Sequence, residues 1–415
     1  MRTFFASWGG RFSPSARRLL WMTAIDGLVI SGWSLFFNLY ILERGFSRQF
    51  LGLLNSLPSL AGLFFGLPLG RLADRIGYRL SMILGLALST VAMVIQVSAS
   101  SPSVIILAAL VNGIAGTLFI VSQAPLVMHL ADDEETRTLL FSLNYGLQTI
   151  AGAVGNLFAG QLPALFGEWL GVPARSAEAY RAVLIASVLS SSLAIVPLWG
   201  IREHSAGREK SAGKGFLTVG TQIVRMALPN VLIGFGAAIL IPYMNVFFVE
   251  RFGLSARWLG VLFAMASLLI GLGSLIAPRL AARLGSKIRA VILTQSSSIL
   301  FLLLIGFSPW VELAGLAFLL RAMFMNMAAP LYTAFCMEKI SPSERGLANS
   351  ALNISWQIGW AVGPYLSGLV QQHYGFTPLF IATATLYSIA VLLLRRFFLA
   401  LEPVPPFAKE VSLER

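Results

Sequence analysis

The sequence predicts an all-α membrane protein in which twelve transmembrane helices form two pseudo-twofold related six-helix bundles, with the N- and C-termini cytoplasmic. Of its 415 residues, 57% are hydrophobic and only 12% are charged, whereas soluble domains carry about a quarter charged residues. Long uncharged segments recur along the chain, and two charged segments about 208 positions apart have similar sequences. These observations predict a polytopic membrane protein that is built from two copies of one unit.

Twelve segments are long and apolar enough to cross a bilayer as helices. Helices 1 to 6 are predicted at about 19–42, 50–70, 80–99, 104–128, 139–165 and 182–200, and helices 7 to 12 at about 227–249, 257–277, 288–308, 313–337, 347–371 and 376–398. The predicted domains are a cytoplasmic leader (1–18), an N-terminal bundle (19–200), a polar cytoplasmic linker (201–226), a C-terminal bundle (227–399) and a cytoplasmic tail (400–415).

The distribution of positive charge predicts the orientation in the membrane. The net charge is +12, and 23 of the 30 Lys and Arg residues fall on one side of the predicted membrane, with six on the other side and one inside a helix. Cytoplasmic loops of membrane proteins carry such an excess, so both termini are predicted to lie inside. Basic inner loops attract anionic lipid headgroups. The lipid bilayer therefore accounts for the charge, and no nucleic-acid partner is expected.

Internal repeats support the duplication. The segment GRLADRIGYR at 70–79, predicted as a short charged loop, returns as PRLAARLGSK at 278–287. Helices 1 and 7 each end with an Asn that is followed five residues later by Glu-Arg, beginning at Asn38 and at Asn245. Helices 5 and 11 match around Gly155 and Gly363. Small residues let helices approach closely in lipid, so these two helices are expected to line the contact between the halves.

The repeat, the polar middle segment and the segment at 70–79 together resemble the major facilitator superfamily of secondary transporters. Its diagnostic motif is matched by Gly70, Asp74, Arg75, Gly77 and Arg79. The resemblance implies two bundles that rock around a central cavity and expose it to each side of the membrane in turn. It also implies that the motif forms a conformational latch, in which Asp74 meets the positively polarised start of helix 11 and keeps the inner side shut.

Several positions depart from the family pattern. Tyr78 replaces a residue that is often basic, and the second copy keeps the latch residues Arg283, Gly285 and Lys287 but has Ala282 in place of the aspartate. The family's helix 4 arginine is replaced by Asn112, and the glycine-proline motif of helix 5 is degenerate. The last two departures count against a specific drug/proton antiporter.

Asp26 is the candidate for proton coupling. It is the only acidic residue in the interior of any predicted span, and a carboxylate at a helix centre costs at least about 2.5 kcal/mol on insertion scales. A desolvated carboxyl group can take up and release a proton, which is what a coupling residue needs. The alternative is that Asp26 has a structural role and forms a hydrogen bond to a neighbouring helix.

Polar and aromatic residues of the spans are the candidates for a substrate cavity. They are Trp33, Asn38, Tyr40, Asn112, Tyr145, Gln148, Asn245, Arg321, Asn326, Trp356, Gln357 and Trp360. Trp33 and Tyr40 follow Asp26 by one and two heptads and so share its face to within about 40°. Arg321 could bind an anionic group, pair with an acid or close a packing network. For any single amide, an interhelical hydrogen bond is the simpler explanation.

The sequence thus predicts a secondary transporter that moves a small organic solute by alternating access. Proton-coupled efflux of apolar or amphipathic compounds is the preferred function, because the expected cavity has few charges and many aromatic residues. One alternative is an uptake symporter for a sugar, organic anion or peptide, and another is a non-transporting membrane receptor or assembly factor. No nucleophile, base and orienting group cluster, so an enzyme is not expected. The single cysteine, Cys336, excludes an intrachain disulfide. No metal or cofactor is predicted, and a monomer in the cell (inner) membrane is expected.

Overall fold

The computed structural model describes residues 12–131, 133–202, 220–341 and 344–399, and this part of the chain contains helices and no strand. Most of the predicted leader and linker and the whole predicted tail lie outside the described residues. The helices of the described ranges occur in the predicted order and are named α1 to α12. The predicted all-α membrane fold is therefore confirmed.

The helices of the first half are α1 Pro14–Glu43, α2 Arg48–Ile76, α3 Tyr78–Ser98, α4 Pro102–His129, α5 Glu134–Leu170 and α6 Ala177–Trp199. Those of the second half are α7 Thr221–Phe252, α8 Ala256–Arg283, α9 Lys287–Phe307, α10 Val311–Lys339, α11 Arg345–Tyr374 and α12 Thr377–Phe398. Within the described ranges, 11 helices are long and apolar enough to cross a membrane. The exception, α11, has 30 residues but carries polar residues such as Asn349, Asn353 and Gln357.

Three of the helices change their winding along their length. Their parts are Glu134–Ala159 and Leu162–Leu170 in α5, Ala177–Ser191, a 3₁₀ turn at Ser192–Ala194 and Ile195–Trp199 in α6, and Thr221–Leu240, a 3₁₀ turn at Ile241–Tyr243 and Met244–Phe252 in α7. Pro242 explains the turn in α7, because proline has no backbone N–H to donate. Pro197 explains the turn in α6 in the same way, because the N–H it lacks would have bonded the backbone oxygen of Leu193 within the turn.

The chain divides into two compact units. The first contains the described residues of Met1–Ala212 together with Phe248–Ala264, and the second contains those of Gly213–Phe247 and Met265–Arg415. The end of α7 and the start of α8 thus pack with the first unit, although they follow the linker in sequence. An ion pair between Arg48 and Glu250, at 2.6 Å, is one of the contacts that hold this segment there.

Four pairs of neighbouring helices recur in both units. In the first unit, α1 packs against α5 and α6, and α3 packs against α4 and α6. In the second unit, α7 packs against α11 and α12, and α9 packs against α10 and α12. Each pair in the first unit corresponds to the pair six helices later, so the duplication that the sequence predicts is present in the packing.

Gly155 of α5 and Gly363 of α11 act within their own units. A Cβ on Gly155 would clash with the backbone carbonyl oxygen of Leu28 in α1, and one on Gly363 would lie 2.7 Å from the Cβ of Ala238 in α7. Both glycines therefore allow two helices of the same unit to approach closely. The sequence prediction that α5 and α11 line the contact between the halves does not hold for Gly155 and Gly363. Gly160, further along α5, does pack against a helix of the second half, since an added Cβ would lie 3.0 Å from the Cα of Gly260 in α8.

The charged segment at 70–79 is helical rather than a loop. Helix α2 continues to Ile76 and α3 begins at Tyr78, so Gly77 alone separates the two helices. Gly77 has φ +94°, and its counterpart Gly285, between α8 and α9, has φ +64°. Residues with a side chain rarely adopt these conformations, which explains the glycines. The sequence prediction was wrong because charged residues mark the membrane boundary and not the end of a helix.

Candidate functional site

A partly polar cavity lies inside the first unit, among α1, α3, α4, α5 and α6, and its volume is about 270 Å³. Its polar lining residues are Asp26, Ser89, Thr90, Gln123, Gln148, Ser187 and Ser191. Among the described residues that line this cavity, Asp26 is the only one with an acidic or basic side chain. The cavity therefore surrounds one carboxyl group with hydroxyl and amide groups.

Asp26 lies on the wall of the cavity and is neither fully buried nor exposed. The hydroxyl group of Ser191 in α6 donates a hydrogen bond to Asp26 Oδ1, with an O···O distance of 3.3 Å. Ser191 itself is buried. This contact connects the acidic residue of α1 to the last residue before the 3₁₀ turn of α6.

Two glycines that follow Asp26 let α1 approach its neighbours. A Cβ on Gly27 would lie 3.0 Å from the backbone oxygen of Gln148 in α5, and a Cβ on Gly32 would clash with the hydroxyl group of Ser187 in α6. Ser187 and Ser191 are one helical turn apart and so lie on the same face of α6. The close approach at Gly32 thus brings the face of α6 that carries Ser191 against α1.

The other lining residues are apolar. They include Ile30, Trp33, Met93 and Phe119, and the ring of Trp33 stacks on that of Phe37 with centroids 4.5 Å apart. The cavity therefore combines a polar region around Asp26 with an aromatic and aliphatic wall. Such a combination suits small organic molecules, whose apolar surface is buried while a few polar groups fix the orientation.

The structure brings together three of the predicted site residues of the first half, namely Asp26, Trp33 and Gln148. Tyr40 lies elsewhere, because its side chain is buried and its hydroxyl group donates to the backbone oxygen of Val97. The heptad spacing from Asp26 gave the correct direction for Trp33 but not for Tyr40, which lies almost four helical turns from Asp26.

The remaining predicted residues of the first half lie outside the cavity lining. Asn38 is buried and accepts a hydrogen bond from Asn55 Nδ2 at 3.2 Å. Asn112 accepts a hydrogen bond from Ser89. Because Ser89 lines the cavity, Asn112 is connected to the cavity wall through Ser89. Tyr145 is exposed on α5.

Arg321 occupies a closed position in the second unit. Its side chain is only 5% exposed, and one of its terminal nitrogens donates a hydrogen bond of 2.9 Å to the hydroxyl group of Tyr387 in α12. Its guanidinium carbon also lies 6.0 Å from the centroid of the Tyr387 ring, within reach of a cation–π interaction. The Nε atom is buried without a hydrogen-bond partner among the described residues.

The other predicted residues of the second half serve local contacts. Asn245 Oδ1 accepts from the backbone N–H of Val246 at 2.9 Å, and Asn326 Nδ2 donates to the backbone oxygen of Ala322 at 2.8 Å. The rings of Trp356 and Trp360 lie 6.2 Å apart on α11, where the partly buried Gln357 also lies.

The predicted latch residues make contacts near the ends of α2 and α8. Asp74 accepts a hydrogen bond of 2.9 Å from the hydroxyl group of Tyr78, and Arg79 donates one of 2.8 Å to the backbone oxygen of Ile201. Tyr78, the departure from the family motif, is thus a partner of the motif aspartate. In the second copy, Lys287 pairs with Glu338, at a second cavity of about 650 Å³ between α8 and α10.

Sequence reasoning missed the hydroxyl partners of the charged residues, namely Ser191 beside Asp26 and Tyr387 beside Arg321. A run of three serines at 190–192, in an otherwise apolar span, was the available signal for Ser191. Polar side chains in membrane helices commonly hydrogen-bond across helices, but which helix they face depends on helix rotation, and the sequence does not give that rotation.

The chain has two units of bilayer-length helices with matching packing, and the first unit encloses a partly polar cavity. This architecture is that of a multi-pass membrane protein of the secondary transporter class. The family model of the Major Facilitator Superfamily matches residues 19–340 and, in a second match, residues 226–414. The chain belongs to the Major Facilitator Superfamily. It is a membrane transporter for small molecules and not an enzyme, as the sequence predicted.

Proteins with related sequences include two bacterial resistance proteins. The methylenomycin A resistance protein of Bacillus subtilis (strain 168) is 25% identical over 388 residues, which cover 80% of this chain and 82% of that protein. The multidrug resistance protein MdtG of Salmonella arizonae is 27% identical over 190 residues, which cover 44% of this chain and 45% of that protein.

Solved structures with a similar fold are also transporters. A mutant form of the nucleoside transporter NupG aligns with a TM-score of 0.76 and 14% identity, covering 92% of this chain and all of NupG. A bacterial homologue of the lysosomal transporter Spinster, in an inward-facing and occupied conformation, aligns with a TM-score of 0.74 and 17% identity, covering 94% of this chain and 98% of the homologue. At these identities the similarity establishes the fold alone.

Proposed function

We propose that the chain exports apolar or amphipathic small molecules by alternating access, and that inward proton movement through Asp26 drives this export. The observation that carries the proposal is the position of Asp26 on the wall of the cavity, with Ser191 as its hydrogen-bond donor. An acidic residue within a membrane span is costly and marks a functional site by default.

The chemistry of the cavity favours a proton as the coupling ion. No Lys, Arg or His is among the described lining residues, so no side chain there supplies the positive charge that an ionised Asp26 would need in a site of low polarity. Burying an uncompensated charge is very unfavourable, and such a group neutralises instead. Asp26 would bind a proton while the cavity is open to the outside and release it while the cavity is open to the inside.

The lining also supports the substrate class. Trp33, Phe119 and Met93 offer apolar surface to a ligand, and the volume of about 270 Å³ is close to the lower limit of about 300 Å³ for ligand pockets. Part of a drug-sized molecule would fit against this wall. Two relatives are named as resistance proteins, one for methylenomycin A and one for multiple drugs, which supports export over uptake.

The moving parts follow from the family. We propose that the bundles at 19–200 and 227–399 rock as bodies, and that Gly70, Asp74, Arg75, Gly77 and Arg79, with Arg283, Gly285 and Lys287 in the second copy, form the cytoplasmic latch. The excess of positive charge in the predicted inner segments supports a chain with both termini in the cytoplasm. The proposed location is the cell (inner) membrane, and the proposed functional form is a monomer.

The alternatives have weaker support. Uptake of an anion recognised by Arg321 would need an accessible guanidinium group, yet Arg321 is buried against Tyr387. For a sugar or peptide, the names of the two relatives as resistance proteins favour export over uptake. A receptor or assembly factor that no longer cycles would not need the motif residues between Gly70 and Arg79, and these are intact.

Transport by purified protein in liposomes tests the proposal. Uptake of ethidium or the neutral dye Nile red into inside-out liposomes would be followed with and without an imposed pH gradient, for the wild type, Asp26→Asn and Asp26→Glu. We expect the gradient to drive dye accumulation for the wild type and for Asp26→Glu. With Asp26→Asn, dye should only equilibrate, because the amide cannot carry a proton.

Two outcomes would contradict the proposal. Gradient-driven accumulation by Asp26→Asn at the wild-type rate would exclude Asp26 as the coupling group. A gradient that drives no compound of a wider amphipathic panel, while anions accumulate in an Arg321-dependent manner, would support the uptake alternative. Monodisperse elution of each variant in size-exclusion chromatography serves as the folding control.

A further inference from the structure

We propose that Ser191 is a positioning residue for Asp26, and that its hydroxyl group sets the pH range in which Asp26 exchanges its proton. This inference rests on the proposed role of Asp26 in coupling. Its basis is the contact between the two side chains, in which Ser191 Oγ donates to Asp26 Oδ1 over 3.3 Å. Ser191 is 6% exposed, so bulk water does not replace it easily.

No charged side chain in the described lining of the cavity stabilises the ionised carboxyl group of Asp26. The polar groups that line the cavity together with Asp26 are Ser89 and Thr90 of α3, Gln123 of α4, Gln148 of α5, and Ser187 and Ser191 of α6. None of these described side chains is titratable. The ionised form of Asp26 therefore depends on neutral donors, and Ser191 is the one that contacts its carboxyl group.

A hydroxyl group is suited to this role because it can donate and accept. It donates to Asp26 when the carboxyl group is ionised, and it can accept when the carboxyl group is protonated. The bond to the ionised form is the stronger of the two, because hydrogen bonds to charged groups are about twice as strong as neutral ones. Ser191 thus favours release of the proton without preventing its uptake.

The geometry suggests that the contact changes during proton exchange. An O–H···O⁻ bond is about 2.5–2.7 Å long, whereas the observed separation is 3.3 Å. Ionisation of Asp26 is expected to shorten it by roughly 0.6–0.8 Å. The 3₁₀ turn at Ser192–Ala194 begins directly after Ser191, and a change of helix type at this point gives α6 a place to absorb such a movement.

Serines in the same helix supply matched controls. Ser192 is half-buried and its hydroxyl group donates to the backbone oxygen of Leu189, and neither Ser190 nor Ser192 lines the cavity. Ser187 lines the cavity one turn earlier, against Gly32. Ser190→Ala and Ser192→Ala therefore remove a hydroxyl group from the same helix without touching Asp26, and Ser187→Ala removes one from the same cavity.

The test measures the rate of gradient-driven ethidium transport in liposomes as a function of pH. For Ser191→Ala, we expect the half-maximal pH to move about one unit toward alkaline values, because the lost bond stabilised the ionised form of Asp26. Ser191→Thr, which keeps the hydroxyl group, should restore the wild-type profile. Ser190→Ala and Ser192→Ala should leave it unchanged, and Ser187→Ala should shift it less.

A purely structural role for Ser191 would lower the rate equally at every pH and leave the half-maximal pH in place, and that result would overturn the inference. If Ser191→Ala does not fold, the pH profile of transport is measured for Ser191→Cys instead. Infrared spectra recorded as a function of pH then follow the carboxyl C=O band in the wild type, Ser191→Thr and Ser191→Cys. The inference would also be overturned if the pH profile of Ser191→Cys matched that of the wild type, or if Ser191→Thr and Ser191→Cys gave the same C=O band.

The two proposals fail in different ways. If Asp26→Asn keeps gradient-driven transport, the proposed function fails whatever the serine variants do. If Asp26→Asn loses the coupling while Ser191→Ala keeps the wild-type pH profile, coupling through Asp26 stands and only the positioning role of Ser191 fails.

Discussion

Helix α5 carries two glycines, one turn apart, that should respond in opposite ways to the same substitution. At Gly155, a Cβ would clash with the backbone oxygen of Leu28 and lie 2.7 Å from Ser31 Oγ. At Gly152, a Cβ would lie 3.8 Å from the backbone oxygen of Gly27 and 4.0 Å from Ser31 Oγ, which is ordinary van der Waals contact. Gly155→Ala therefore forces α1 and α5 apart, whereas Gly152→Ala does not.

The magnitudes follow from two terms. Replacing a helical glycine by alanine contributes about 1 kcal/mol in favour of the helix, and overpacking a close contact costs about 1–3 kcal/mol. The obstacle at Gly155 is a backbone atom, which a rotamer change cannot move, so the cost should lie at the upper end. We expect Gly155→Ala to lower the free energy of unfolding by about 2 kcal/mol and Gly152→Ala to raise it by up to about 1 kcal/mol.

Thermal unfolding in detergent, followed by the loss of the monodisperse peak in size-exclusion chromatography, measures the difference. The midpoint of Gly155→Ala should be several degrees below that of the wild type, and that of Gly152→Ala should equal or exceed it. Leu28 lies two residues from Asp26, so Gly155→Ala should also reduce gradient-driven transport. A Gly155→Ala protein as stable as Gly152→Ala would refute the assigned packing of α1 on α5.

Three further changes have defined outcomes. Gly77→Ala should lower the thermal midpoint by an amount that corresponds to about 1–3 kcal/mol, because φ +94° is strained for any residue with a side chain. Tyr387→Phe should lower the free energy of unfolding by about 1–3 kcal/mol, and with it the thermal midpoint, since it leaves the buried guanidinium of Arg321 without the acceptor at 2.9 Å. At the start of α5, the hydrogen bond from Thr136 to the side chain of Asp133 lowers the pKa of that carboxyl group. The stabilising effect of this bond is present above the unfolded-state pKa of Asp133 and is lost as the pH falls through its folded-state pKa. Amide hydrogen exchange of the first turn of α5 should therefore accelerate in acid, and Asp133→Asn should remove much of this acid response.

Matched controls separate these effects from general damage. Gly70→Ala changes a helical glycine of the same motif with nothing within 4 Å of the added Cβ, so it should be neutral or stabilising. Arg321→Met together with Tyr387→Phe should recover stability, because a buried polar pair can often be replaced by apolar residues. If Gly77→Ala is as stable as Gly70→Ala, the strained conformation assigned to Gly77 is incorrect.

The fold was predictable because its main determinants are compositional. Uncharged segments of bilayer length gave the helices, and the offset of about 208 residues gave the duplication that the matching helix pairs of the two units display. The extent of α2 was not predictable in this way, because Arg71 to Arg75 read as a loop although they lie in its last turns. A charge in the headgroup region does not end a helix.

The site was only partly predictable. Asp26 followed from the cost of an acid in a span, and Trp33 from its position one heptad later, but the contact with Ser191 depends on how α6 is rotated against α1. That rotation is set by the close approach of Gly32 to Ser187. It is a property of two helices together, and neither helix alone encodes it in its hydrophobic pattern.

The two repeats each place a charged residue beside a hydroxyl group of their sixth helix, but at positions that do not correspond. In the first unit a charged residue of α1 contacts a hydroxyl group of α6, and in the second a charged residue of α10 contacts a hydroxyl group of α12. The sixth helix of each repeat thus supplies the hydroxyl partner. Asp26 borders a cavity, where water or a ligand can reach it, whereas Arg321 is enclosed by protein. A group that must exchange a proton needs access, and a group that holds two helices together is better without it, so the difference in exposure favours Asp26 over Arg321 as the coupling residue.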